Sequence, residues 1–238
     1  MQHATATTIV DEICQLCLDA APAMSWLVEP LTLGRAQAFI LQHILRNRLL
    51  SAVIRPAWVS RCPDLAVVRK TIGQMREELV YDEAIACPHT EILWQMGRNI
   101  GLSDAQMQAA EPVPLVEVAF NVWENLARTR HWIVGWLASS VGEFLLTALP
   151  EHNLRAARWK QFLGLSDEQV FFFSYHEKAD EDHAGRAVWT PIAQHVVTAE
   201  LRHEVLSGAR LALEALKLFY RGVAALGDQL DQQRSAQT

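Results

Sequence analysis

FFFSYHEKADEDH, residues Phe171–His183, places three metal-competent side chains on one line. On a helix advancing about 100° per residue, His176, Asp180 and His183 fall at about 0°, 40° and −20°. Two imidazoles and a carboxylate on one stripe are donors that divalent iron, manganese or zinc takes. Glu177, Glu181 and Asp182 fall roughly between 100° and 240°, on a separate solvated face. Phe172, Phe173 and Ala179 share the side of the three donors. A solvated polar face is the plainer reading of such a run, and the segregation of its charges argues against it only in part.

The stripe implies a helix, and the flanking chain reads the same way. Ser166-Asp167-Glu168-Gln169 fits a capping box, so the helix bearing the stripe should begin near Asp167. Upstream, helices are expected over about Ala6 to Ala20, Leu33 to Val53 (capped by Thr32 and ended by Pro56) and Asp64 to about Ala86. A fourth starts near His89 and ends at Gly101, and a short one follows the Ser103 capping box. A long helix spans about Pro114 to Leu149, and another covers Glu151 to Phe162 with Gly164 as its stop. Pro191 opens the last, which runs to about Ala225. No alternating strand pattern survives; Leu65 to Val68 is too short. The class is all-α, a bundle of seven to eight helices in a single domain spanning 1–238, with its core over about 31–223.

With 238 residues, half of them hydrophobic and 20% charged, the chain can bury a large core and does not read as disordered. A net charge of −6 supplies no basic stripe, which argues against a nucleic-acid partner. Four cysteines are too few for a disulfide scaffold. Cys14 and Cys17 form a lone CxxC inside an apolar helical stretch, which favours packing over zinc or redox chemistry. The N-terminus has no basic region of the signal-peptide kind. Trp132 to Leu149 is apolar apart from Glu143, and reads as a buried helix rather than a membrane span. A reducing, cytoplasmic setting and no membrane partner are expected.

A lone carboxylate such as Glu143 in an apolar helix needs a metal or an arginine. If it is simply a buried charge, Glu143→Gln is expected to stabilise the metal-free fold. Further donors stand at Tyr81-Asp82-Glu83-x5-His89, a carboxylate at the expected end of one helix and a histidine at the start of the next. Three histidines and three carboxylates from four helical segments suffice for two metals. A different set, Glu200-x-x-His203, has the spacing used by ferritin-like bundles but occurs only once. His43, His131, His152 and His195 stand alone and read as ordinary surface or core histidines.

The order Asp82-Glu83, His89, Glu143, His176-x3-Asp180-x2-His183 on a helical chain of this length resembles the heme-oxygenase-like di-iron oxidases and oxygenases. That superfamily includes the chlamydial protein associating with death domains, fatty-acid decarboxylases and N-oxygenases. FFFSYHEKADEDH is similar to the family's FF-x-x-H-x-x-x-D-x-x-H, and HTEILWQMGRNIGLSDAQM to its H-x-x-L-W segment. RCPDLAVVRKTIGQMREELVYDE resembles the stretch before the first ligand. The resemblance covers about Leu31 to Val223. It implies a heme-oxygenase-like fold, two iron ions and O2 as co-substrate. The implied ligands are Glu83 or Asp82, His89, Glu143, His176, Asp180 and His183. Glu83 is preferred to Asp82 for its type and reach.

The implied activity is oxidation of a small metabolite, an amino acid or amine in a biosynthetic pathway, with an external electron donor and a homodimer both open. Trp94, Trp123, Trp132 and Trp136 are candidate pocket walls, with ordinary core packing at least as good a reading. The same fold serves thiaminase II, whose cysteine has no counterpart here beyond Cys87. True heme oxygenase needs a proximal histidine, for which only His43 is placed. A cofactorless oxidase like pyrroloquinoline-quinone synthase, or a non-enzymatic metal-binding helical protein, stands as the alternative.

Overall fold

In the computed structural model, residues 8–21, 31–148, 155–184 and 186–236 are described. Among them there are helices and no named strand. Thr8 caps the first helix, α1 (Ile9–Ala20), in a reciprocal box with Asp11. Cys14 and Cys17 are buried in it as free thiols. Thr32 caps α2 (Leu33–Leu49) by accepting from the Arg35 N–H. The expected stop at Pro56 is corrected: the chain continues through a π-helical turn, Leu50–Ile54, into α3 (Arg55–Val59). Proline lacks an N–H and its ring crowds the preceding turn, and the wider turn accommodates both. The register change leaves Arg55 and Trp58 pointing into the core.

Asp64 caps α4 (Leu65–Leu79) through the Ala66 and Val67 N–H groups. The helix ends seven residues before the expected Ala86. The Val80 and Tyr81 N–H groups both donate to the Arg76 carbonyl, and the Asp82 carboxylate accepts from the Ala84 N–H. A short side chain that bonds its own backbone competes with helix in this way. Asp82 and Cys87 then form an isolated bridge, with Ala86 at φ 57°. Pro88 leads into α5 (His89–Asn99), and a Ser103–Gln106 box opens α6 (Asp104–Gln108).

The long helix expected from Pro114 is two, α7 (Pro114–Thr129) and α8 (Trp132–Ala148). Arg130 is extended, and Arg61 donates to the Arg130 and Ala127 carbonyls. Glu204 accepts from the His131 N–H. These partners satisfy the backbone groups that a helix break frees. The expected Ser166–Gln169 box is present, but it opens a single 3-10 turn, Glu168–Val170. α9 (Arg155–Leu163) precedes that turn, and α10 (Phe171–Ala184) follows it. The last expected helix divides as well. Pro191 lies in the short α11 (Thr190–His195), and Thr198 caps α12 (Ala199–Ser235), which runs ten residues past the expected end at Ala225.

α8 is the centre of the bundle, and every side chain from Ile133 to Leu145 is buried. α12 lies along α2, α7 and α8, and α10 packs against α8 and α5. Among the described residues no helix is long and apolar enough to cross a membrane.

Candidate metal centre

α4 delivers Glu78 to the interior. Val67, Thr71 and Glu78 are its buried residues, at i, i+4 and i+11 on one stripe. His89, the first residue of α5, is fully buried beside it. Its Nδ1 lies 3.2 Å from Glu78 Oε1, and its Nε2 lies 2.8 Å from Asp82 Oδ2. Asn47 of α2 donates to the other Glu78 oxygen at 3.3 Å, and Tyr175 of α10 donates to Asp82. His176 crosses edge-on to His89, with ring centroids 4.9 Å apart. Glu78, His89 and His176 each offer a ligand atom, and these atoms all lie within 4.8 Å of one another.

The histidines differ in readiness. His176 Nδ1 is 2.8 Å from the Phe172 carbonyl. A carbonyl only accepts, so Nδ1 carries the proton and Nε2 is left with a lone pair for a metal. Burial pulls His176 down to about 4, so the ring is neutral near pH 7. Burial also opposes charge on His89, but the hydrogen bonds and charges of Glu78 and Asp82 outweigh it and push His89 up to about 9. Burial raises the Asp82 carboxyl, yet the Tyr175 and His89 hydrogen bonds bring it below its ordinary value. Glu78 is likewise held low by His89 against the effect of burial.

These shifts carry a sign. The raised value of His89 means that its protonated ring stabilises the metal-free fold fully below about pH 6.5, and that this support is lost as the pH rises through about 9. A metal taking either ring nitrogen must displace that proton. Metal uptake is therefore expected to release about one proton per ion at His89. Affinity should rise roughly tenfold per pH unit from 7 to 9 and then level off. Calorimetry in buffers of different ionisation enthalpy measures the proton count; an affinity independent of pH would contradict the geometry.

The other sequence candidates fall as follows. His183 Nε2 is 3.0 Å from Glu77 Oε2, its ring stacks on His89 at 6.0 Å, and its Nδ1 is buried with no hydrogen-bond partner among the described residues. Asp180 is on α10, with its side chain outside the described residues. Glu143 pairs with Arg55 at 2.5 Å and accepts from Gln74 at 3.1 Å, and lines one small chamber with Glu78 and His176. Asp82 and Glu83 lie in the turn after α4, not on a helix. Asp82 faces His89, whereas the Glu83 side chain is 79% exposed and 3.2 Å from Arg76. Asp82→Asn is thus expected to weaken metal uptake about 10–100-fold through His89, and Glu83→Ala to leave it within about twofold. Equilibrium titration of both variants checks this, and the reverse order would move the carboxylate to Glu83.

Glu200 and His203 sit at the start of α12, and His203 lines a surface groove with Arg130 and Glu204, among residues distinct from the cluster. His195 meets Asp64, and His152 lies outside the described residues. Of the candidate walls, Trp123 and Trp132 are packed in the core. Trp136 is mostly buried too, but it also lines a largely apolar cleft beside His183 and Gln74. Sequence reasoning missed Glu78, Glu77, Tyr175 and Arg55. The signal for Glu78 was its place on the Val67–Thr71 stripe.

Residues 42–217 match the family model for iron-containing redox enzymes. The chain belongs to that family. All the residues of the cluster fall inside the matched span. No functionally curated protein matches the chain. Among solved structures it is similar to a domain of unknown function with a heme oxygenase-like fold from Shewanella denitrificans. The two share 14% identity at a TM-score of 0.70, over 95% of this chain and 92% of that one. It is also similar to a CADD-like protein of unknown function from Nostoc punctiforme, at 14% identity and TM-score 0.65 over 94% and 95%. A TenA homologue from P. horikoshii matches at 17% identity and TM-score 0.59 over 90% and 99%. The shared feature is the heme-oxygenase-like fold, as the resemblance implied. The donor set fits iron: two imidazoles and a carboxylate converge in a buried place, with one imidazole already in the ligand tautomer.

Proposed function

We propose that the protein is a non-heme iron oxidoreductase that uses O2 to oxidise a small metabolite, an amino acid or amine, at a two-iron centre. The observation that carries the reading is the buried Glu78–His89–His176 cluster within an iron-containing redox family. Glu78, His89 and His176 would hold one ion, and Asp82, His183, Glu143 and Asp180 would be the donors for a second. Iron, when bound, supplies the one-electron and O2 chemistry that side chains lack.

The chain's own residues have separate tasks. The Phe172 carbonyl fixes the His176 ring, and Asn47 and Asp82 orient Glu78 and His89. Tyr175 can hold or pass a proton at the Asp82 carboxylate. Phe172 and Phe173 are buried in the turn of α10 before His176 and keep bulk water from that side. The cleft lined by Val67, Lys70, Trp136, His183 and Pro191 gives a small organic molecule an approach to His183.

Anaerobic titration with Fe(II) tests the reading, with an expected end point near two irons per chain followed by O2 consumption. Saturation at one iron would reduce the centre to Glu78, His89 and His176. No uptake at all would overturn the proposal.

A further inference from the structure

α2 carries two buried side chains that each hold a polar atom with no hydrogen-bond partner among the described residues. Arg46 is 4% exposed and His43 5%. Arg46 Nε and His43 Nδ1 have no hydrogen-bond partner among the described residues. A guanidinium stays charged inside proteins and presents five in-plane N–H donors. The rings of Trp123 and Phe219 lie 5.9 and 5.8 Å from its carbon. They favour the cation but leave its N–H groups unanswered. Gly142 of α8 makes room for it, since a Cβ there would stand 2.6 Å from an Arg46 terminal nitrogen. A buried cation that a glycine admits, and whose Nε has no hydrogen-bond partner among the described residues, is a costly arrangement unless a ligand completes it.

Arg46, His43 and the buried Arg155 line the same chamber as Asn47, Glu78, Glu143 and His176, with a volume of about 20 Å³. The two carboxylates there are engaged elsewhere, Glu78 by His89 and Asn47, and Glu143 by Arg55 and Gln74. Burial and the Arg46 charge hold His43 well below its ordinary value. It is therefore a neutral ring, able to donate from Nδ1 without adding to the charge of Arg46 and Arg155. A chamber of this size admits roughly one water-sized group. Such a space takes a single oxygen of an anion rather than the whole ion, and a buried guanidinium N–H donates a charge-assisted hydrogen bond to a carboxylate oxygen.

We infer that the chamber receives one carboxylate oxygen of a small organic acid, held by Arg46 and His43 beside Glu78 and His176. Calling that acid the substrate rests on the oxidase reading above; the anion site itself does not. Arg46 and His43 then set specificity for acids over their amides and esters, and fix which end of the molecule points at the metal donors.

The test is made on the metal-free full-length protein at constant ionic strength, by melting and calorimetry with formate, acetate, hexanoate, hexanamide and chloride. Formate and acetate are expected to raise the melting temperature, hexanoate to do so at least as well, and hexanamide not at all. Arg46→Met should melt no lower than the wild type in carboxylate-free buffer and bind formate about tenfold or more weakly. Arg46→Lys should keep part of the response. If Arg46→Met does not fold, Arg46→Lys and His43→Phe carry the test, and both must weaken formate binding. No response to formate and acetate, an equal response in the variants, or a response to chloride alone would overturn the inference. Arg46-dependent carboxylate binding in a protein that takes up no iron would leave the anion site standing and remove the oxidase reading. Iron uptake without a carboxylate response would do the opposite.

Discussion

His176→Ala is expected to abolish tight iron binding at the buried cluster while leaving the helical content of the metal-free protein nearly unchanged. The ring is held for ligation, with Nδ1 committed to the Phe172 carbonyl and Nε2 free. Alanine is the best helix former, so α10 has no local reason to unwind. With one of three converging donors removed, affinity should fall by more than about a hundredfold, beyond what the loss of a supporting group costs. The thermal signature is separate. A metal at about 100 times its dissociation constant stabilises the fold by about 2.7 kcal/mol, and this increment should vanish in the variant. Glu78→Ala should behave the same way and should also lower the raised value of His89, since it removes one of the two carboxylates that hold the proton. His203→Ala, on α12 outside the cluster, is the control that should bind iron normally. Equal iron binding by His176→Ala and the wild type would remove the cluster as the metal centre.

The legible and illegible parts of this protein divide on a physical line. Features written in consecutive residues could be read: a helix through His176 and His183, the apolar wrap of α8 and the capping boxes at Ser103 and Ser166. Helix ends set by partners far along the chain could not. The break between α7 and α8 depends on Glu204 and Arg61, which are 73 and 69 residues away from the groups they satisfy. The passage through Pro56 depends on a π-helical turn that no local pattern announces. The site divides the same way. His89 and His176 stand out as residue types, while Glu78 sits in the doublet Glu77-Glu78, which reads as solvated surface until α4 is docked. The preference for Glu83 rests on its type and reach, with both residues placed at the end of a helix. The chain is instead a turn there, held by the Asp82 side chain itself.

The same distinction reverses the sign of the expectation for Glu143. As a lone carboxylate in an apolar helix, its removal should stabilise the metal-free protein. The structure supplies the missing partner, Arg55, 88 residues earlier in the chain and 2% exposed. Removing the carboxylate therefore strands a buried guanidinium, whose other hydrogen bond is to Ser51. Removing one member of such a pair costs about 3–5 kcal/mol, whereas replacing both by apolar groups is often neutral or favourable. Glu143→Leu is thus expected to destabilise the metal-free protein by about 3–5 kcal/mol, a fall of roughly 10 °C in melting temperature for a chain of this size. Glu143→Gln should cost less, about 1–2 kcal/mol, because its amide oxygen can still accept from Arg55. The double variant Arg55→Met/Glu143→Leu should recover most of the loss, and that coupling is what a double-mutant cycle reads. Iron titration of the same proteins separates the two roles open to this carboxylate. If Glu143 only anchors α3 to α8, the double variant regains iron binding along with stability. If it is also a donor to the second ion, stability returns and the second iron does not.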